Sequence, residues 1–235
     1  LRSVAPFAAR LARFDGFPSV RELDEVLRDR LAFAPGVTLE PQVKVKRRRT
    51  PRTRDALYEV RIEEHRLLPT RERSWHDLAN ALVWAAFPRS KRALTARQHA
   101  ILTSRIEDVE RLPVRTREQD GLAMVDEGGL LVMARGGLER VRAALDAGDE
   151  ASLARSVRDG EVELLAFGHA LMEHAIGGEL EVRAYAIALE MDVGPEAPLE
   201  TRVEAADRAL AAWIASRAET EPAERRGVLL SRVLG

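Results

Sequence analysis

The stretch SWHDLANALVWAAFP, residues 74–88, constrains the fold more than any other part of the chain. Ser74 with Asp77 three residues on is a helix-start signal, and Pro88 is a stop. Between them Trp75, Leu78, Ala79, Leu82, Val83 and Ala86 give a broad apolar face at helical spacing. A helix of this kind turns its larger face into a core, so the other elements are expected to pack round it.

Those other elements are short and punctuated. The segment up to Arg13 reads as an amphipathic helix, and Ser19-Val20-Arg21-Glu22 as a capping box for a helix carrying Leu23, Val26, Leu27 and Leu31, ended near Ala34-Pro35-Gly36. Val43 and Val45 alternate with Lys44 and Lys46, as in a short edge strand. ALYEVRIEEHRLL, residues 56–68, reads as a strand with Tyr58, Val60 and Ile62 on one side, closed by Pro69. Ser90 is expected to cap a helix through Leu94, Arg97, Ile101 and Ile106. Leu122–Val125 and Leu130–Met133, separated by Asp126-Glu127-Gly128-Gly129, predict a hairpin. Two Ala-rich helices between Leu138 and Val157 follow, then a strand at 162–167 leading into a helix near His169 and a strand at 182–189. After a linker holding Pro195 and Pro198 comes a last helix with Val203, Ala206, Leu210, Trp213 and Ile214. Such interleaving predicts an α+β fold: a helix-rich single domain over 1–235 with a small antiparallel sheet that includes the hairpin near 122–133. An exposed basic loop at 44–54 and a C-terminal helical segment at 195–235 complete the expectation.

Composition narrows the chemistry. Of 235 residues 46% are hydrophobic, enough for a sizeable core, yet no run approaches the length of a membrane span. The first residues lack a signal-peptide pattern, so a cytoplasmic protein with no membrane partner is expected. Cysteine is absent, which removes disulfides, thiolate metal sites and cysteine nucleophiles. The net charge of -1 hides an asymmetry: residues 1–117 hold 25 Lys plus Arg against 15 Asp plus Glu, and residues 118–235 hold 12 against 23. Seven cations lie in the eleven residues from Lys44 to Arg54. That run suits unspecific nucleic-acid binding or an acidic protein partner, but no aromatic interleaving accompanies it. Walker, dinucleotide-fingerprint, HExxH and GxSxG motifs are all missing.

Candidate chemistry concentrates in four pieces. His76, Asn80 and Trp84 fall four apart and share one helical stripe. Asp77 lies about 100 degrees round the helix, so an acid or carbonyl from elsewhere would have to orient His76. His169 and Glu173 are also four apart on a predicted helix, an arrangement for an acid and base pair or for two ligands of one metal; His174 is expected off that face. Asp126 and Glu127 sit at the expected hairpin. If the pieces converge, His76, His169, Glu173 and Asp126 are the catalytic candidates, and the same four are the ligand set if a divalent metal such as Zn, Mn or Fe is present. Arg61, Arg71, Asn80, Lys91 and Arg117 are the candidates for binding an anionic small molecule. A structural reading stands beside each: histidines as buried hydrogen-bonders, tryptophans in the core, cations paired with nearby acids.

The segments WHDLANALVWAAFPRSKRAL, RTREQDGLAMVDEGG and FGHALMEH, with Tyr58, Glu59 and Arg61 ahead of them, resemble the bacterial family called domain of unknown function 3025. The resemblance covers about half the chain in ordered pieces and rests most on the first segment. His65, Thr95 and Gly121 depart from the family pattern, and the basic run appears particular to this chain. The resemblance implies an uncharacterised bacterial protein and brings no activity with it. The function expected is therefore a small-molecule enzyme or binding protein with a His/Asp/Glu pocket for an anionic ligand; the alternative is a nucleic-acid or protein interaction module using 44–54.

Overall fold

The computed structural model describes residues 2–33, 35–42, 53–106, 114–179, 181–216 and 227–234. The opening segment is a short helix, α1 (Ala5–Ala8), flanked by 3-10 turns. Next come α2 (Val20–Leu31), β1 (Thr38–Gln42), α3 (Tyr58–His65), β2 (Leu67–Arg71), α4 (Trp75–Ala86), α5 (Pro88–Arg105), α6 (Arg117–Gly128) and β3 (Gly129–Ala134). The remainder is α7 (Leu138–Asp146), α8 (Glu150–Arg158), β4 (Val162–Ala166), α9 (His169–Ile176), β5 (Arg183–Glu190), α10 (Leu199–Ser216), β6 (Gly227–Leu229) and α11 (Leu230–Leu234). The fold is α+β and helix-rich, a single domain with two small sheets among the described residues.

The capping box at Ser19 and Glu22 forms on both sides, and the Ser74 hydroxyl accepts from Asp77 N at 3.3 Å. Each such cap stabilises its helix by about 1 kcal/mol. α4 is the central core helix: Ala79, Ala81, Val83, Trp84, Ala85 and Ala86 are almost wholly buried. Trp75 is the exception at 52% exposed, edge-on to Phe17 at 5.1 Å.

Four expectations need correction. Residues 122–133 are not a hairpin. α6 runs to Gly128 and β3 starts at Gly129, because Thr116 and Gln119 form a second capping box that launches a helix, and Leu122 and Val125, three apart, bury one face. The four-stranded sheet is accordingly mixed rather than antiparallel, in the order β4-β3-β5-β6: β3 runs antiparallel to β4 and parallel to β5, and β6 antiparallel to β5.

The expected strand at 56–68 is mainly helix α3. Its alternation is set by charges that are paired instead of solvated: Arg61 binds Glu40, Glu63 binds Arg92, and Glu64 binds Arg54 and His99. Arg66, in the left-handed region at φ 61, then reverses the chain into β2, which lies parallel to β1 with Pro69 inside it. Finally, Ser90 does not cap α5. Pro88 occupies the first turn, and the orphan amides of Arg89 and Ser90 are taken by Asp207 of α10 at 3.1 and 2.8 Å.

The strand expected at Val43 and Val45 and the basic run before Thr53 lie outside the described residues. The Ala-rich helices, the strand before His169, the strand after it and the last long helix fall where the sequence placed them. Among the described residues no helix is long and apolar enough to cross a membrane.

Candidate functional site

Seven elements meet at one pocket among the described residues, β1 among them with its last residue, Gln42. β2 ends at Arg71, α4 supplies His76, Asp77 and Asn80 from its first two turns, and α3 begins with Tyr58. The last turn of α6 supplies Asp126 and Glu127, α9 starts with His169, and α5 sends Lys91 from behind. Gln42, Tyr58, Pro69, Arg71, His76, Asp77, Asn80, Asp126, Glu127 and His169 line a cavity of about 290 Å³.

A close backbone approach fixes the His169 end. Phe167 N and Gly168 N both donate to Gly129 O, at 2.9 and 2.8 Å, which fastens the start of α9 across the junction of α6 and β3. A Cβ on Gly168 would run into the Glu127 carbonyl and the Gly129 amide, so only glycine fits there. The approach sets His169 Nδ1 2.8 Å from the Asp126 carbonyl oxygen. A carbonyl only accepts, so Nδ1 carries the hydrogen. His169 is 5% exposed, and burial, with the Lys91 and His76 charges adding to it against Asp126, lowers its pKa to about 4. The ring is thus neutral near pH 7, and Nε2 is left as an acceptor.

That nitrogen lies 3.1 Å from His76 Nε2, with the two rings edge to face at 4.5 Å between centroids. His76 Nδ1 in turn is 3.1 Å from Glu173 Oε2. Glu173 and His169, four apart on α9, therefore both bind His76, one at each ring nitrogen. The acid that orients His76 does come from another segment, as the helix geometry of Asp77 requires. Asp77 instead clasps Arg71, accepting from its Nε at 2.9 Å and Nη2 at 2.7 Å. Burial works to raise the Asp77 carboxyl, and the Arg71 bonds overcome it and hold it below its ordinary value.

Behind the pocket lies an ionic pair whose ammonium is closed off from water and whose carboxylate reaches the cavity wall. Lys91, 1% exposed, places Nζ 2.5 Å from Asp126 Oδ1 and 2.8 Å from Asn80 Oδ1, with the Trp84 ring 5.5 Å below. Asn80 Nδ2 donates to the Tyr58 hydroxyl at 3.1 Å. Burial pushes the Asp126 carboxyl up, the Lys91 ammonium with the His169 and His76 rings pulls it down, and the carboxylate ends below its usual range. Thr95, one of the three departures from the family pattern, turns its hydroxyl to the Lys91 carbonyl at 2.8 Å and so stays out of the pocket.

The candidates named from sequence are thus distributed unequally. His76, His169, Asp126, Asn80 and Arg71 line the pocket, Glu173 reaches it through His76, and Lys91 supports it from behind. Arg61 is bound to Glu40. Arg117 lines a separate groove of about 780 Å³ with Arg97, Ile101 and Ile214. His174 is off the site, exposed and paired with Glu179 at 2.7 Å. Among the described residues no group of three or more His, Asp or Glu is placed to hold a metal ion, and the ammonium on Asp126 would repel a cation there. Glu127, weighed with Asp126, does line the pocket, whereas Tyr58, Gln42 and Gly168 were not among the candidates. Reading 56–68 as a strand hid Tyr58 as an apolar face residue, and Gly168 had a signal only in its place directly before His169.

Two larger cavities, the groove at Arg117 and one of about 570 Å³ between α7 and α8, contain no histidine. Size does not choose the site; the convergence of acid and base groups does. No curated protein and no solved structure matches the chain. The family model described as "Protein of unknown function (DUF3025)" matches residues 45–228, and the chain belongs to that family.

Proposed function

We propose that the protein is a small-molecule enzyme that works by general acid and base transfer in the pocket between α4, α6 and α9. The observation that carries this reading is the line Glu173, His76, His169, in which two imidazoles share an Nε2 to Nε2 contact at the pocket wall. With Glu173 ionised and His169 a neutral acceptor, the bonds call for a hydrogen on both His76 nitrogens, so His76 stands ready to give a proton. A ligand that enters at the Nε2 contact replaces one imidazole as the partner of the other. His76 then acts as acid, Glu173 keeps its ring in place, and His169, fixed by the Asp126 carbonyl, takes a proton in return. A hydrolytic or transfer step suits these groups.

An anionic group on the ligand fits the rim. Arg71 is half exposed and uses Nε and Nη2 on Asp77, which leaves the Nη1 hydrogens. A cytoplasmic location accords with the cysteine-free composition. Use of residues 44–54 on nucleic acid or an acidic protein rests on their sequence alone, and salt-dependent binding to random DNA is its test.

The test of the pocket is a screen of small carboxylate and phosphate metabolites against protein with labelled histidine ring nitrogens. The expected result is at least one compound that shifts His76 and His169 together, is turned over, and does neither in His76→Gln. Compounds that bind and are turned over with His76 and His169 unmoved would contradict the reading.

A further inference from the structure

The hydrogen bonds behind the pocket have a direction, because one member can only give. The Lys91 ammonium offers hydrogens and no lone pair, so the oxygen of Asn80 must face it, as it does at 2.8 Å. The amide of Asn80 is thereby fixed with its nitrogen outward, on the Tyr58 hydroxyl at 3.1 Å. Tyr58 accepts that bond. Among the described residues nothing accepts its own proton, although the hydroxyl belongs to the pocket wall beside His76, His169 and Arg71.

Apart from giving it to solvent, a phenol in this position has one use for its hydrogen. We propose that Tyr58 is the ligand-facing donor of the pocket, set in that sense by Lys91 through Asn80, and that it receives an oxygen acceptor of the carboxylate or phosphate class. The inference rests on the pocket being the functional site and deepens that reading by naming what the ligand must bring. Arg71 adds a second donor at the rim, so an oxyanion has a hydroxyl and a guanidinium to meet. Burial, with the Asp126 charge behind it, raises the Tyr58 pKa, and the phenol keeps its proton throughout the neutral range. At about 290 Å³ the cavity lies at the small end for ligand sites and suits a ligand of few atoms beyond that oxyanion.

The donor state of Tyr58 is readable without a ligand. The ring doublet near 850 and 830 wavenumbers in ultraviolet resonance Raman spectra separates a phenol that only accepts from one that donates, and subtracting the Tyr58→Phe spectrum isolates it from Tyr185, the other of the 2 tyrosines. Tyr58 in the wild type, 38% exposed, is expected to show the accepting character given by Asn80, with water as the sole taker of its hydrogen. Asn80→Asp, which puts an acceptor oxygen on both sides, should turn it to the donating pattern, and so should Lys91→Met if that variant folds. Sodium acetate or inorganic phosphate should shift the wild type toward donation, and Tyr58→Phe should bind the effective probe about tenfold more weakly, the effect of one hydrogen bond.

A purely donating pattern, without accepting character, in the ligand-free wild type would overturn the assignment of direction. Failure of both probes to change the pattern, or equal affinity in Tyr58→Phe, would overturn the ligand class. A response to acetate alone or phosphate alone decides between the two sources. Failure of the acid and base reading looks different: the Tyr58 pattern stands and responds to a probe, while the histidine nitrogens stay unmoved and no compound is turned over.

Discussion

Ser90 and Lys91 are neighbours in the first turn of α5, yet they serve two unlike polar centres. Ser90 points to Asp207, which is 0% exposed and takes bonds from Ser90 Oγ at 2.7 Å and from the amides of Arg89 and Ser90. That centre is closed to solvent at Asp207 and seals the end of a helix. Lys91 points the other way, to Asp126 and Asn80, and the far side of that pair is a cavity wall. The carboxylates respond in opposite senses. Burial raises Asp207 in spite of the Ser90 bonds, whereas Asp126, equally opposed by burial, is carried below its ordinary value by the Lys91 ammonium with His169 and His76. A buried polar group is no sign of function by itself; one that is held ionised beside open space is the better sign.

The largest expected effect breaks the Lys91 centre. Lys91→Met leaves a buried carboxylate without its cation and should cost about 3–5 kcal/mol in urea unfolding. Lys91→Met with Asp126→Leu should recover a good part of that loss. If the single variant is as stable as the wild type, Asp126 does not depend on the Lys91 ammonium and the contrast with Asp207 fails.

Next comes pH. His169 has its folded pKa lowered from 6.5 to about 4, so the unfolded chain binds more protons between those values. Its stabilising effect is present above pH 6.5 and is lost as pH falls toward 4, on the order of 3 kcal/mol. Stability measured across this window in the wild type and in His169→Gln should show the slope only in the former. The two carboxylates act lower down and in opposite directions. Asp126 contributes above 3.8 and loses its effect as pH falls through its depressed value, while Asp207 costs stability as pH climbs from 3.8 through its raised one.

Smaller effects sharpen the comparison. Gly168→Ala forces a Cβ into the α6 to β3 junction, for about 2 kcal/mol of overpacking, and should shift His169 resonances as well. Ser90→Ala removes hydroxyl bonds to Asp207, for about 1 kcal/mol, and should leave every pocket resonance unmoved. An effect of Ser90→Ala on His76 or His169 would show that the two centres are not separate.

Much of this arrangement is legible in the sequence, and the failures share a cause. α4 is legible because its apolar face and both of its ends are written in neighbouring residues, and His169 with Glu173 because four-residue spacing is a local property. α3 is misread because alternating charges look solvated when their partners, Glu40, Arg92 and Arg54, lie in other elements. The end of α6 is misread because Gly128-Gly129 fits a turn as well as a helix end, while the capping box that decides the matter stands twelve residues earlier. That Glu173 and His169 grip one imidazole from opposite sides is tertiary, and no spacing within either helix contains it.

The most direct measurement of the central claim is the protonation of the His169 ring, followed by long-range nitrogen and proton NMR from pH 8 to 4. The account predicts a neutral ring with its hydrogen on Nδ1 that stays neutral until the pH nears 4. A His169 that titrates near 6.5 as a free imidazole does, or that carries its hydrogen on Nε2, would contradict the buried acceptor on which the two-histidine line depends.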